Sequence, residues 1–362
     1  MTFKYGTAVL FMVLILFSCN SSDDSNETPV NPPETTDFIS AVDISSWPEI
    51  ASTNPVFQDA DGNEQGFLEQ LKSYGVNTVR LRLWVNPLNE HSGYNEVKAF
   101  ASQLKAQGFK IWLSVHYSDT WADPANQEIP EAWKNLNFDG LNAEVGEYTQ
   151  MVAKEIQPEY IQIGNEINPG FLLPEGDINT NYMQFKTLME TAISEVRVAS
   201  PASKIMIHFA GTEHADWFFG QVDALDYDII GLSFYPIWHG KSLTALQNTM
   251  ANLSSKYDKD IVIAETAYPF TLDWNDWTNN IVGQEDQLIT GYPASPQGQF
   301  DFLKSIKTIT QDLERGIGFC YWGAELIAWK GTEATNGSPW ENQALFDFNN
   351  TALPVLEVFK AE

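Results

Sequence analysis

The sequence predicts an α/β fold: a single catalytic domain built as a (β/α)₈ TIM barrel. Three observations point there. Short β-branched runs alternate eight times with longer stretches of helical period between Phe38 and Trp322. The chain has 362 residues and is 43% hydrophobic, enough for one large barrel with a sizeable core. An open doubly wound sheet would carry a glycine-rich phosphate loop after its first strand, and Val42-Asp43-Ile44-Ser45-Ser46-Trp47-Pro48 has none.

The elements follow in order. Phe38–Ile44 is the first strand; a helix over Glu64–Tyr74, mixing Glu69, Leu71 and Lys72, stops at Gly75. The second strand, Thr78–Leu83, alternates with period two through Val79-Arg80-Leu81-Arg82-Leu83. A helix over Glu96–Gln107 ends at Gly108, before the third strand, Lys110–Val115. The helix Leu141–Ile156 leads into the strand Tyr160–Ile163, and Tyr182–Ala199 into Lys204–Phe209. Ile229–Phe234 is the sixth strand. The helix Leu243–Tyr257, the strand Ile261–Ala264, the helix Gln297–Leu313 and the strand Gly318–Trp322 complete the series.

Residues 1–18 read as a lipoprotein signal peptide: Lys4, an apolar run from Ala8 to Phe17, then Ser18 before Cys19. The run is too short to span a bilayer, which takes roughly 20 residues. Leu16-Phe17-Ser18-Cys19 resembles a lipobox, so Cys19 is expected to be cut free and acylated. An ordinary signal cut elsewhere, with Cys19 incidental, is the alternative. Residues 19–37 read as a flexible acidic tether, and 38–362 as the barrel. Asn20-Ser21-Ser22-Asp23-Asp24 resembles the export tag of Bacteroidetes surface lipoproteins, or is a solvated linker. The expected location is extracytoplasmic, lipid-anchored to the outer membrane at the cell surface, the lipid being the sole membrane contact. With Cys19 acylated, Cys320 has no disulfide partner and reads as a small buried hydrophobe.

Charge narrows the partners. Twenty basic against 48 acidic side chains give −28, which argues against nucleic acid and against a basic membrane-binding patch. A neutral substrate is not repelled. The barrel is expected to act as a monomer.

Function in such a barrel sits at the C-terminal ends of the strands. Those ends carry Asp43; Arg80, Arg82 and Trp84; His116, Asp119, Trp121 and Asp123; Asn165 and Glu166; His208; Tyr235, Trp238 and His239; Glu265; and Trp322. Glu166 and Glu265 close the fourth and seventh strands, on opposite sides of the mouth. Two carboxyl groups across a sugar are what glycoside hydrolysis needs: an acid for the leaving oxygen and a second carboxylate on the opposite face, which in a retaining enzyme attacks the anomeric carbon. A lone glutamate there would more simply be a rim salt-bridge partner; two at strand ends favour chemistry. His116, His208 and His239 show no paired metal-ligand spacing, no H-E-x-x-H is present, and no G-x-S-x-G elbow supports a serine nucleophile.

VRLRLWVNP (Val79–Pro87), HYSDTWADP (His116–Pro124), QIGNEINPG (Gln162–Gly170), GLSFYPIWHG (Gly231–Gly240), ETAYP (Glu265–Pro269) and WENQALFDF (Trp340–Phe348) resemble the endo-β-1,4-galactanases of glycoside hydrolase family 53. The resemblance runs from near Asp43 to the C-terminus. It implies retaining, endo-acting hydrolysis of β-1,4-galactan or the type I arabinogalactan side chains of pectin, with Glu166 as acid/base and Glu265 as nucleophile. It further implies that Asn165 holds the sugar 2-hydroxyl and that Arg80 keeps Glu265 ionised. His116, His208 and Tyr235 would orient carboxylates or hydroxyls; Trp238, His239 and Trp322 would line subsites. No cofactor is implied, though some relatives hold structural calcium near Pro269–Asn280; Asp273, Asn275 and Asp276 lack a convincing ligand spacing, and a solvated loop is the simpler reading. After the eighth strand the family commonly shows Trp-Glu-Pro, where this chain has Tyr321-Trp322-Gly323-Ala324-Glu325, leaving that loop's contacts open. The alternatives are a β-1,4-mannanase or glucanase on the same scaffold, or a non-catalytic surface glycan-binding lipoprotein. A periplasmic solute-binding protein would need two lobes, which the eightfold pattern does not suggest.

Overall fold

Eight parallel strands pair in chain order and close on themselves: β1 (Ile39–Asp43), β2 (Thr78–Leu83), β3 (Lys110–Val115), β4 (Tyr160–Ile163), β5 (Lys204–Ala210), β6 (Ile229–Ser233), β7 (Asp260–Thr266) and β8 (Gly316–Trp322). The computed structural model describes residues 38–361 together with Thr2. The expected signal peptide, Cys19 and the tether, Thr2 apart, lie outside the described residues.

Period-two alternation sorts the strand side chains into two cores. Val79, Leu81 and Leu83, with Ile111, Leu113 and Val115, face outward and pack under the helices. Truncating one such side chain, as in Leu113→Ala, would cost about 2–5 kcal/mol through lost burial and a cavity. Ile39, Ala41, Trp112, Tyr160, Met206, Val262, Ala264 and Cys320 form a separate apolar plug inside the barrel. Above the plug the inward positions turn polar: Asp43, Arg80, Ser114, Gln162, His208 and Ser233 are all buried. The barrel is thus oily at its floor and hydrogen-bonded at its mouth.

The helices are α1 (Trp47–Ala51), α2 (Phe67–Ser73), α3 (Tyr94–Ala106), α4 (Phe138–Ile156), α5 (Tyr182–Ala199), α6 (Ala215–Val222), α7 (Pro236–His239), α8 (Leu243–Tyr257) and α9 (Pro296–Gln311). Asn137, Ser242 and Ser295 cap α4, α8 and α9 by accepting the backbone N–H of Gly140, Ala245 and Gly298. The sequence reading of the first helix begins three residues early. Asn63 is held in a turn by the Asp59 carboxylate, and the helix starts only after Gly66. It also omits α6, whose ADWFFGQV has little charge to mark a solvent face.

One irregularity bears on the site. On β7, Ile261 and Ile263 face the helices while Val262 and Ala264 face the plug, so simple alternation would turn Glu265 outward. The register slips there against both neighbours: Leu232 and Ser233 oppose Ile263 and Glu265, and Ile263 and Thr266 oppose Phe319 and Tyr321. This bulge re-aims Glu265 into the mouth, a known use of such irregularities beside functional sites.

Candidate active site

A cavity of about 880 Å³ opens at the C-terminal ends of the strands, with Glu166 and Glu265 in its wall. A carboxylate oxygen of one lies within 4.8 Å of a carboxylate oxygen of the other. Their surroundings differ. Arg80, 1% exposed, is the hub on one side: Nη1 meets Asp43 at 2.7 Å and Nη2 meets Glu265 at 2.8 Å. Nη2 also donates to Asn165 Oδ1 at 2.7 Å, and the Tyr235 hydroxyl donates to Glu265 Oε2 at 3.0 Å. Asp43 is braced by the Ser45 hydroxyl at 2.6 Å.

Glu166 has no cation in contact among the described residues. Ser233 Oγ donates to its Oε1 at 2.5 Å, and His208 Nε2 lies 2.9 Å behind Ser233. The backbone there is turned hard. Gly164 (φ 74°) and Glu166 (φ 48°) are both left-handed, and a Cβ on residue 164 would sit 2.4 Å from Ile167. For glutamate that conformation is strained, as often seen where a side chain must be aimed.

The pKa directions follow. Burial, then the Glu265 charge, pushes Glu166 up to about 8 against the pull of Ser233 and Arg80. Burial, and more weakly Asp43, raises Glu265 too, while Arg80 and the Tyr235 hydroxyl pull it back down. One carboxyl is pushed up with no cation bonded to it, and the other is paired with a buried guanidinium. That combination can deliver a proton and a nucleophile to opposite ends of one bond.

Glu166, His208 and Glu265 also lie close enough together to suggest a metal site. The imidazole is committed elsewhere, however, with Nε2 against Ser233 and Nδ1 against Gln162 Nε2 and the Glu166 N–H. His116, His208 and His239 are all held below the ordinary imidazole range by burial, His239 at about 4, and so are neutral.

Comparison with known proteins decides the family. Residues 39–359 match Glycosyl hydrolase family 53. The chain belongs to that family. A solved structure, the Ignisphaera aggregans GH53 catalytic domain, is similar with a TM-score of 0.84 and 39% identity, over 92% of this chain and 97% of that one. A Cellvibrio japonicus protein named arabinogalactan endo-beta-1,4-galactanase is 33% identical over 91% of this chain and 92% of its own. A Bacillus subtilis protein named endo-beta-1,4-galactanase is 30% identical over 90% and 86%. A GH113 β-1,4-mannanase at 14% identity and a TM-score of 0.52 shares the fold alone.

Of the expected site residues, Asp43, Arg80, His116, Trp121, Asp123, Asn165, Glu166, Tyr235, Trp238, His239, Glu265 and Trp322 line the cleft of this family 53 chain. Three stand elsewhere. Trp84 backs Trp121 edge-on at 5.5 Å and lines a neighbouring cavity of about 440 Å³ instead. Asp119 lines that same cavity, its two oxygens accepting the backbone N–H of Asn86 and Glu131, so it pins loops. His208 is 0% exposed and lies behind the wall. His116 and His239 face the cleft but orient backbone, accepting the N–H of Ala122 and Tyr235, rather than a carboxylate.

Two contributors escaped the sequence reading. Ser233 sits inside GLSFYP, where a serine in a strand gives no signal. Trp340 heads WENQALFDF and packs 4.5 Å from Trp322 and 6.0 Å from Trp238. With Trp121, 6.1 Å beyond Trp322, they make a continuous aromatic wall. In the suspected calcium loop, Glu341 accepts the N–H of Asn275 and Asp276, and Asp276 Oδ2 and Glu341 Oε2 have no hydrogen-bond partner. No third acidic or histidine ligand joins those two carboxylates among the described residues, a thin set for a cation that takes 6–8 oxygens.

Proposed function

We propose that this family 53 chain is an endo-β-1,4-galactanase working by double displacement with retention, Glu166 as acid/base and Glu265 as nucleophile. The observation that carries this is the carboxylate pair itself: oxygens within 4.8 Å, one carboxyl uncompensated, the other held by Arg80 and Tyr235. Retaining enzymes space their carboxyl groups ~5–5.5 Å apart, inverting ones ~6.5–9.5 Å to admit a water.

In the first step Glu265 attacks the anomeric carbon while Glu166 gives its proton to the departing glycosidic oxygen. Glu265 loses its negative charge as the galactosyl ester forms, while Arg80 keeps its pairing with Asp43. Glu166, now an anion, takes a proton from water, whose oxygen attacks the same carbon and frees Glu265. Asn165 Nδ2 gives one hydrogen to Ala122 O and retains a second for a sugar hydroxyl. The wall of Trp121, Trp322, Trp340 and Trp238 offers apolar faces to successive sugars. Galactan is the substrate named for the Cellvibrio and Bacillus relatives.

Linear β-1,4-galactan, with mannan and glucan beside it, is the test. Short galacto-oligosaccharides whose new reducing ends first appear by NMR as β-anomers are expected. Cleavage of mannan or glucan alone would discard the substrate, and early α-anomers would discard the mechanism. Anchoring through Cys19 is a separate proposal resting on residues 1–37; labelled palmitate entering the wild type and not Cys19→Ala would support it, and equal labelling would refute it.

A further inference from the structure

The hydrogen bonds behind Glu166 have a direction that can be worked out atom by atom. Gln162 fixes the first link. Its Oε1 accepts from Arg80 Nε and Nη2 and from Trp112 Nε1, so its Nε2 is the donor end, giving hydrogens to Gly164 O and toward Asn165 Oδ1 and His208 Nδ1. Asn165 is fixed likewise: Oδ1 accepts from Arg80, and Nδ2 donates to Ala122 O. His208 Nδ1 receives the Glu166 N–H at 3.3 Å and shares with Asn165 Oδ1 the one Gln162 Nε2 hydrogen not given to Gly164 O; a hydrogen on Nδ1 would leave the Glu166 N–H pointing at another N–H. Asn165 Oδ1, 3.1 Å from Nδ1, already has Arg80 as a donor. Hydrogen positions follow from such networks, and here they agree. Neutral His208 carries its hydrogen on Nε2 and gives it to Ser233 Oγ, which leaves the Ser233 hydroxyl to donate to Glu166 Oε1.

We infer that Ser233, polarised by His208, is a positioning residue for the acid step: its one-way hydrogen bond disfavours the proton on Glu166 Oε1 and favours it on Oε2, the oxygen left to meet the glycosidic bond. A protonated Oε1 would be a poorer acceptor for the serine hydrogen, 2.5 Å away, than a bare carbonyl oxygen. Once the proton has gone, the same bond becomes charge-assisted and steadies the carboxylate through the covalent intermediate. This inference rests on Glu166 being the acid. The register slip that turns Glu265 inward also sets Ser233 opposite it, so one bulge aligns both halves of the site.

Ser233→Ala tests it. The groups acting on Glu166 are Glu265 on β7, Arg80 on β2, Asp123 after β3, and His208 and Ser233 on β5 and β6; this variant changes one and keeps every charge. Ser233 stabilises the anion, so its loss raises the Glu166 pKa. The alkaline limb of kcat/KM on galactan should move up by about half a unit or more, and the plateau should fall about tenfold, the equivalent of ~1.4 kcal/mol. On a dinitrophenyl β-galactobioside, whose leaving group needs no proton, kcat/KM should stay within about twofold. An unmoved alkaline limb, or equal losses on both substrates, would overturn the inference. Glu166→Ala is the control for the underlying reading. If it loses galactan activity and keeps the dinitrophenyl substrate while Ser233→Ala matches wild type, the serine's role alone fails. If Glu166→Ala loses both equally, the acid assignment fails with it.

Discussion

The two sides of the barrel mouth hold the same residue type in unlike surroundings. On the β1–β2–β7 side, Glu265 belongs to a charge network: Arg80 and the Tyr235 hydroxyl contact it at 2.8 and 3.0 Å, and Asp43 holds the other end of the Arg80 guanidinium at 2.7 Å. On the β4–β5–β6 side, Glu166 meets a hydroxyl and a neutral imidazole chain, with no cation bonded to it. Both are buried, so desolvation alone cannot separate them; what differs is whether a charge lies close enough to offset it. Environment, more than residue identity, sets the two glutamates apart, one held by a cation and the other not.

The largest expected break is Glu265→Ala, which removes the proposed nucleophile. Galactan hydrolysis should fall by more than ~10⁴-fold with binding retained. A loss under a hundredfold in a steady-state assay would mean that the nucleophile lies elsewhere. Arg80→Met attacks the same side through its cation. Leaving Asp43 and Glu265 buried and unpaired should cost roughly 3–5 kcal/mol of stability in a denaturant titration. In the surviving enzyme the Glu265 pKa should rise. Since that group must be ionised, the acid limb of kcat/KM should shift to higher pH; an unchanged limb would show that Arg80 does not hold the anion. Tyr235→Phe is the milder version, expected to cost about tenfold, in keeping with ~1.5 kcal/mol for a hydrogen bond to a charge.

Another buried carboxyl sharpens the contrast. Glu325, 2% exposed, accepts the Ser46 N–H at 2.9 Å and has no partner on Oε2; burial, then Asp43, pushes it up to about 8. Its folded pKa exceeds its unfolded one, so its contribution to stability is whole below the ordinary carboxylate range and is lost as pH rises toward 8. Glu325→Gln keeps the acceptor and removes the titration. Its Tm should fall less than the wild type's between pH 5 and 9, by about 1–3 °C. Parallel Tm curves would mean that Glu325 is not protonated in the fold.

How much of this the sequence could show depends on the kind of signal. Strands β2, β3 and β4 are legible to the residue because alternating apolar and inward-facing residues end at turn-forming ones. Glu166 and Glu265 stand out as carboxylates at apolar strand ends. The bulge that aims Glu265 inward leaves no mark in IVIAET, since a register slip is a property of two neighbouring strands. Ser233 is invisible for a similar reason: its importance comes from His208 and Glu166, 25 and 67 residues away. Trp84 and Asp119 mislead in the other direction. They sit beside cleft residues in sequence, yet one turn of loop carries them behind the wall.

The most direct test of the unlike environments is azide rescue of the two alanine variants on dinitrophenyl β-galactobioside. Glu166→Ala keeps the nucleophile, so azide should intercept the covalent intermediate from the acid/base side and give the β-glycosyl azide. Glu265→Ala lacks the nucleophile, so azide should enter from its side and give the α-glycosyl azide. The opposite pair of products, or one anomer from both variants, would contradict the assignment of the two glutamates.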